Sequence, residues 1–287
     1  MDGLITAAGR RLAYRRLGSG RTLVCHPGGP GFSSLYLGEL AGLGERLELV
    51  LLDPRGTGAS DPPADPRAFA IDDYVSDLEE LRAHLGLERM WLLGHSHGGV
   101  VAIAYAARHP SRVERLILAS TGARFAAEQN EAMEDAMRAR AGEPWYADAR
   151  DALETELRGE FGSGEDLMAL SLRMMPFYFA RYGDAERAWV ESLAGDRLNP
   201  DATRLWEKEI FEHFDLRPAL ERVTAPTLVI TGEEDFITGP VCAAELDRGL
   251  PDAETVILPG VGHLIFVEAP VAFREAVLSF LRTEVTA

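Results

Sequence analysis

Lysine is almost absent from this chain: among 29 basic residues only Lys208 is a lysine, and the rest are arginine. A GC-rich coding sequence accounts for that bias, so no chemistry is read from it. An excess of positive charge is missing as well. The formal charge of -17 and sequence pI near 4.8 argue against nucleic acid or an anionic membrane as a partner, because both reward a basic face. Cysteine is scarce too. Cys25 and Cys242 stand far apart with no metal-type spacing, which argues against a disulfide framework and reads as two ordinary reduced thiols. No apolar run is long enough to span a bilayer. The segment Met1-Asp2-Gly3-Leu4-Ile5-Thr6 carries no basic stretch leading into an apolar core. The expectation is a cytoplasmic protein with no membrane partner, and no repeat or low-complexity segment is visible.

What is present is a chain of 287 residues, long enough for one large α/β domain or for a core with an inserted subdomain. The patterning favours the second. Strand-like segments fall near 3–7, 11–17, 22–26, 47–53, 89–94 and 113–119, with helical stretches near 33–44, 72–86 and 97–109. From Pro226 the alternation resumes with Thr227–Ile230, a helix near 239–249, Thr255–Leu258 and a helix near 270–283. Such alternation predicts a mostly parallel, eight-stranded sheet with helices on both faces. Residues 123–217 contain no convincing strand. They read as an inserted helical cap, leaving 1–122 and 218–287 as the core. That insertion carries Trp145, Trp189 and Trp206, together with Phe177, Tyr178, Phe179 and Tyr182. Most are expected to pack, and some to line a substrate cleft.

Gly94-His95-Ser96-His97-Gly98 follows the apolar run Met90–Leu93 and precedes Gly99–Tyr105. A serine on a tight strand-to-helix turn has its hydroxyl pushed out of the sheet, with a helix N-terminus behind it. Ser96 is therefore the expected nucleophile. A hydroxyl needs a base, and the base needs a carboxylate to fix its tautomer. His263, in the glycine-rich loop Pro259–Leu264 after the last strand, is the best base, ahead of His84, His95, His97, His109 and His213. For the acid, Asp235 follows the strand ending at Ile230. Its local rivals are Glu233 and Glu234, while Ser120, Thr121 and Gly122 after the preceding strand offer nothing ionisable. An oxyanion needs two aligned N–H donors. His97 supplies one, and Gly29 is expected to supply the other, with Gly28 as the alternative, because glycines let backbone approach closely. Asp53–Ser60 reads as a structural turn in which Asp53 and Arg55 could pair.

These motifs resemble the α/β-hydrolase fold superfamily over essentially the whole chain, and within it the proline iminopeptidase group. Gly28-Gly29-Pro30-Gly31 is similar to the end of that group's H-G-G-P-G loop, Asp53–Ser60 to its D-x-R-G-x-G-x-S segment, and Thr231–Pro240 to its acid loop. One departure is visible: with the glycines aligned, Pro27 takes the place of the motif's histidine and His26 lies one residue earlier. The resemblance implies a serine hydrolase acting through an acyl-enzyme on a small molecule or short peptide, with neither metal nor organic cofactor. A serine at the elbow speaks against epoxide hydrolase or dehalogenase chemistry, where resembling enzymes use aspartate. An aminopeptidase must hold a protonated amine, and the group places acids for this on its helical cap, so Glu207, Glu209 and Glu212 are candidates. Ester, lactone or C–C bond hydrolysis on the same residues, and ligand binding without turnover, are the rival functions, since fold does not fix substrate. A monomer or small homo-oligomer is expected.

Overall fold

The computed structural model describes residues 2–6 and 9–282. Positions 7 and 283 of the expected first strand and last helix lie outside the described residues. Eight strands form one sheet: β1 (Asp2–Ile5), β2 (Arg11–Gly18), β3 (Thr22–His26), β4 (Glu48–Leu52), β5 (Met90–His95), β6 (Val113–Ala119), β7 (Thr227–Gly232) and β8 (Ala253–Leu258). Their order is β1-β2-β4-β3-β5-β6-β7-β8. β2 pairs antiparallel with β1 and β4, and every later pairing is parallel.

The inner parallel strands β3, β4, β5 and β7 are mostly apolar and buried because helices cover both faces, while the edge strand β8 carries Glu254 and Thr255. The two-residue period sends Val24, Val50, Leu92, Leu116, Leu118 and Val229 to one core and Cys25, Leu51, Leu93, Ile117, Leu228 and Ile230 to the other. Against the first face pack α1 (Ile71–His84) and α2 (His97–Arg108). α1 starts where the Asp73 carboxylate accepts from Ala70 N–H at 3.0 Å, which satisfies a donor that the first helical turn leaves free.

Between β6 and β7 lie α3 (Ala127–Arg138), α4 (Tyr146–Leu157), α5 (Gly164–Met174), α6 (Asp184–Glu191), α7 (Pro200–Leu205) and α8 (Arg217–Leu220). Among the described residues this stretch contains no strand, only an isolated bridge between Arg124 and Asp215. Met133, Met137, Leu153, Phe161, Leu167 and Phe177 give it a core of its own, joined by Phe236 from the loop after β7. α9 (Pro240–Gly249), α10 (Ile265–Glu268) and α11 (Pro270–Arg282) complete the chain. Phe273, Val277 and Phe280 of α11 close the second face.

The helix expected near 33–44 does not form. Two 3-10 turns, Ser34–Leu37 and Leu40–Glu45, take its place. Gly38 at φ 55°, Ala41 at 57° and Gly42 at 79° are left-handed, so no continuous ladder of helical hydrogen bonds can run through them.

Candidate active site

β5 delivers Ser96 and α2 leaves from it. The turn between them is so tight that Ser96 adopts φ 56°, ψ -125°, a conformation costing a non-glycine residue about 1–3 kcal/mol. The flanking glycines allow the approach. A Cβ on Gly94 would lie 2.3 Å from the Gly98 carbonyl oxygen, and one on Gly98 would lie 2.3 Å from that of His26. Ser96 N–H donates to Ala119 O at 3.0 Å, and the Thr121 hydroxyl donates to Ser96 O at 2.7 Å. The side chain is left half-buried at the C-terminal edge of the sheet.

The loop after β8 brings His263 to that edge, and the loop after β7 brings Asp235. His263 Nδ1 lies 2.9 Å from Asp235 Oδ2. Ile237 and Thr238 N–H groups donate to Oδ1 at 3.1 and 3.0 Å, and the Thr238 hydroxyl donates to Oδ2 at 2.9 Å. Burial works against a charged Asp235, but His263 and those N–H donors outweigh it and hold the carboxyl well below the usual carboxylate range. An ionised Asp235 only accepts, so His263 carries its proton on Nδ1 and offers Nε2 as an acceptor. The His263 peptide is anchored as well, its N–H donating to Tyr178 O at 2.8 Å.

Ser96, His263, Gly28 and Gly29 all border one cleft. No direct hydrogen bond joins Ser96 Oγ to His263 among the described residues. Gly28 N–H donates to the Tyr36 hydroxyl, so its amide is already engaged. His97 opens α2 with its ring buried, edge-on to Trp206 at 4.6 Å. His26 is buried too, its Nδ1 held 2.8 Å from Pro27 O. Both rings stay neutral, as burial lowers His26 to about 4 and His97 well below its ordinary value. The rest of the cleft is mostly apolar: Phe32, Met133, Leu153, Leu157, Met174, Met175, Trp206, Phe211 and Ile237 line it.

The chain matches the family model described as alpha/beta hydrolase fold over residues 21–270. It belongs to that family. A proline iminopeptidase of Saccharolobus solfataricus is 30% identical over 93% of this chain and 87% of its own length. A putative carbamate hydrolase, RutD, of a Caulobacter strain is 29% identical over 92% and 91%. Among solved structures, the enol-lactonase of Burkholderia xenovorans superposes with a TM-score of 0.72 at 25% identity, covering 98% of this chain and 99% of that one. An alpha/beta hydrolase is thus a sound description, while the relatives divide over the bond cleaved.

In this hydrolase the expected cap acids separate. Glu207 borders the cleft, at the second position of a five-residue π-helical turn, Trp206–Ile210, that continues α7. Glu209 points outward and pairs with Arg67 at 2.7 Å, and Glu212 is exposed on a neighbouring groove. Neither reaches the cleft, because successive residues of a helical turn fan out around its axis. The carboxyl that reasoning from sequence missed is Glu156. It borders the cleft from α4, is 8% exposed, and its Oε2 is buried with no hydrogen-bond partner among the described residues. Burial, with Glu207 adding to it, raises Glu156 to about 8. Burial raises Glu207 to about 7. A Glu inside the apolar stripe of α4, Ala149-Ala152-Leu153-Glu156, was the available signal. Of the seven aromatics singled out, Tyr178 and Trp206 line the cleft. Trp145 and Phe177 pack edge to face, and Trp189 and Tyr182 pack on Phe179. The expected Asp53–Arg55 pair does not form. Arg55 binds Asp77 at 2.7 Å, while Asp53 accepts from Ser34 N–H and hydroxyl at 3.0 and 2.7 Å.

Proposed function

We propose that this alpha/beta hydrolase works through an acyl-enzyme on Ser96. His263 Nε2 takes the Ser96 proton as Oγ attacks a carbonyl, and Asp235 holds the imidazole. The oxyanion rests on the amides of His97 and Gly29. Collapse of the adduct expels the leaving group, which takes the proton from His263, and water repeats the sequence to free the acid. The observation that carries this reading is the buried Asp235–His263 pair opening on the same cleft as an elbow serine. The remaining Ser96–His263 hydrogen bond is expected to close when substrate enters, since such contacts are commonly long without it. Residues 123–217 are read as a cap over a core of 1–122 and 218–287, and the cytoplasm as its location.

For substrate we favour a prolyl aminopeptidase-like amide with an apolar acyl part and a free amine. Glu156 and Glu207 support this: neither has an arginine partner among the described residues, and an ammonium group entering the cleft would favour their ionised form and be held by it. Ester or lactone hydrolysis is the second reading, favoured by the apolar wall of the cleft. A fluorophosphonate probe is expected to label Ser96, and Ser96→Ala to abolish both labelling and turnover while leaving the melting point nearly unchanged. Labelling at another serine would refute the assignment. Release of amine from a proline arylamide would support the first substrate class, and cleavage of short acyl esters or lactones alone would replace it with the second.

A further inference from the structure

Three separate loops must meet within a hydrogen bond's tolerance for this chemistry: the glycine loop after β3, the elbow after β5 and the His263 loop after β8. We propose that Tyr36 and His95 are positioning residues that lock these loops together through one polar chain, an inference that rests on the serine-hydrolase reading above.

The links are explicit. Gly28 N–H donates to the Tyr36 hydroxyl, that hydroxyl lies 2.8 Å from His95 Nδ1, and His95 Nε2 lies 3.2 Å from the His263 carbonyl oxygen. The two ends fix the polarity of everything between them. A peptide N–H can only donate and a carbonyl can only accept. Tyr36 therefore accepts from Gly28 and gives its own proton to Nδ1, and His95 is the Nε2–H tautomer donating to His263.

No member of the chain can reverse without breaking a link, and water does not compete, since Tyr36, His95 and His263 are 7%, 2% and 2% exposed. Burial, reinforced by the nearby His263, lowers the His95 imidazole to about 3, so it keeps one protonation state at working pH. The result is a clamp on the His263 peptide, with Tyr178 O on its N–H and His95 on its carbonyl. The same chain occupies the Gly28 amide, leaving that of Gly29 for the oxyanion. His95 also packs on the His263 and Phe266 rings at 4.9 and 5.2 Å, so polarity must be separated from mere filling of space.

The test compares Tyr36→Phe, His95→Leu, His95→Gln and the Tyr36→Phe/His95→Leu double variant. Each is assayed for p-nitrophenyl butyrate hydrolysis, fluorophosphonate labelling rate and melting temperature. Tyr36→Phe is expected to lower kcat about tenfold with KM within about twofold, because loop misplacement weakens the transition state rather than binding. His95→Leu, which keeps volume but neither hydrogen bond, should lose about a hundredfold, and His95→Gln, with a donor and an acceptor, should recover to within about fivefold of wild type. The double variant should be no worse than His95→Leu, as links of one chain are not additive. Equal kcat for folded His95→Leu and His95→Gln, or losses that multiply in the double variant, would overturn the proposal. If His95→Leu does not fold, Tyr36→Phe decides alone, and an unchanged kcat overturns it. Wild-type protein labelled at Ser96, with the Tyr36 and His95 variants labelled equally fast, sinks only the positioning role of the polar chain. Absence of labelling at Ser96 in wild type sinks the serine-hydrolase reading itself.

Discussion

Replacing Glu156 by glutamine should make the protein less sensitive to alkaline pH. Burial lifts this carboxyl from its ordinary 4.5 to about 8, so the folded state holds the proton more tightly than the unfolded chain. Between those two values unfolding releases a proton, and stability falls as pH rises. The full penalty is present above about pH 8. A shift of this size corresponds to at most about 5 kcal/mol at roughly 1.4 kcal/mol per pH unit. Glu156 is 8% exposed, so solvent screens little of it. For a chain of 287 residues that is a melting-point change of up to about 8 °C, taking about 2 cal/mol/K of unfolding entropy per residue. Thermal unfolding of wild type and Glu156→Gln at a series of pH values from 5 to 9 measures it. The variant should be relatively more stable at pH 9 than at pH 5, with the gap opening between those limits. Parallel profiles across the range would refute the reasoning and mean that the carboxyl is solvated or paired.

Asp235→Asn should lower kcat by about 10,000-fold, because an amide no longer selects the required His263 tautomer or balances its charge; kcat within tenfold of wild type would show that another acid serves. Gly94→Ala forces a methyl group to 2.3 Å from a backbone oxygen and should cost about 1–3 kcal/mol, read as a lower melting temperature; an unchanged value would contradict the packing. No arginine or lysine borders the cleft among the described residues, so an ester whose acyl chain ends in a carboxylate meets two carboxyls and no counter-charge. Assayed at pH 9, where both are ionised, its kcat/KM should fall at least about tenfold below that of the neutral analogue, equivalent to about 1.4 kcal/mol, and equal values would show that the acids are not sensed.

The strands and the three loops that meet at the sheet edge were legible because their signals are local. A buried parallel strand must be apolar throughout, and the turn that ends it must be built from residues that tolerate unusual backbone or close approach. Gly94 and Gly98 announce the elbow for that reason, and Gly260 and Gly262, just before His263, announce its loop. The failed helix near 33–44 shows the limit of the same logic. Its apolar spacing is helical, yet Gly38 and Gly42 take left-handed conformations, and spacing carries no sign of φ.

The cleft was harder to read because its walls are assembled by tertiary placement. Glu207 and Glu209 stand two residues apart on one turn, and which of them faces inward is seen only in tertiary contacts, with Trp206 packed against His97 and Glu209 paired outward with Arg67. Glu156 reaches the same cleft from α4, fifty-one positions earlier in the chain, and nothing in the sequence around it points to Glu207. The residues proposed to react therefore stand at strand ends, which sequence periodicity reveals. The lining of the cleft follows from which face each helix between β6 and β7 turns to it, and a carboxyl inside an otherwise apolar helical stripe is a local mark that such a choice leaves in the sequence.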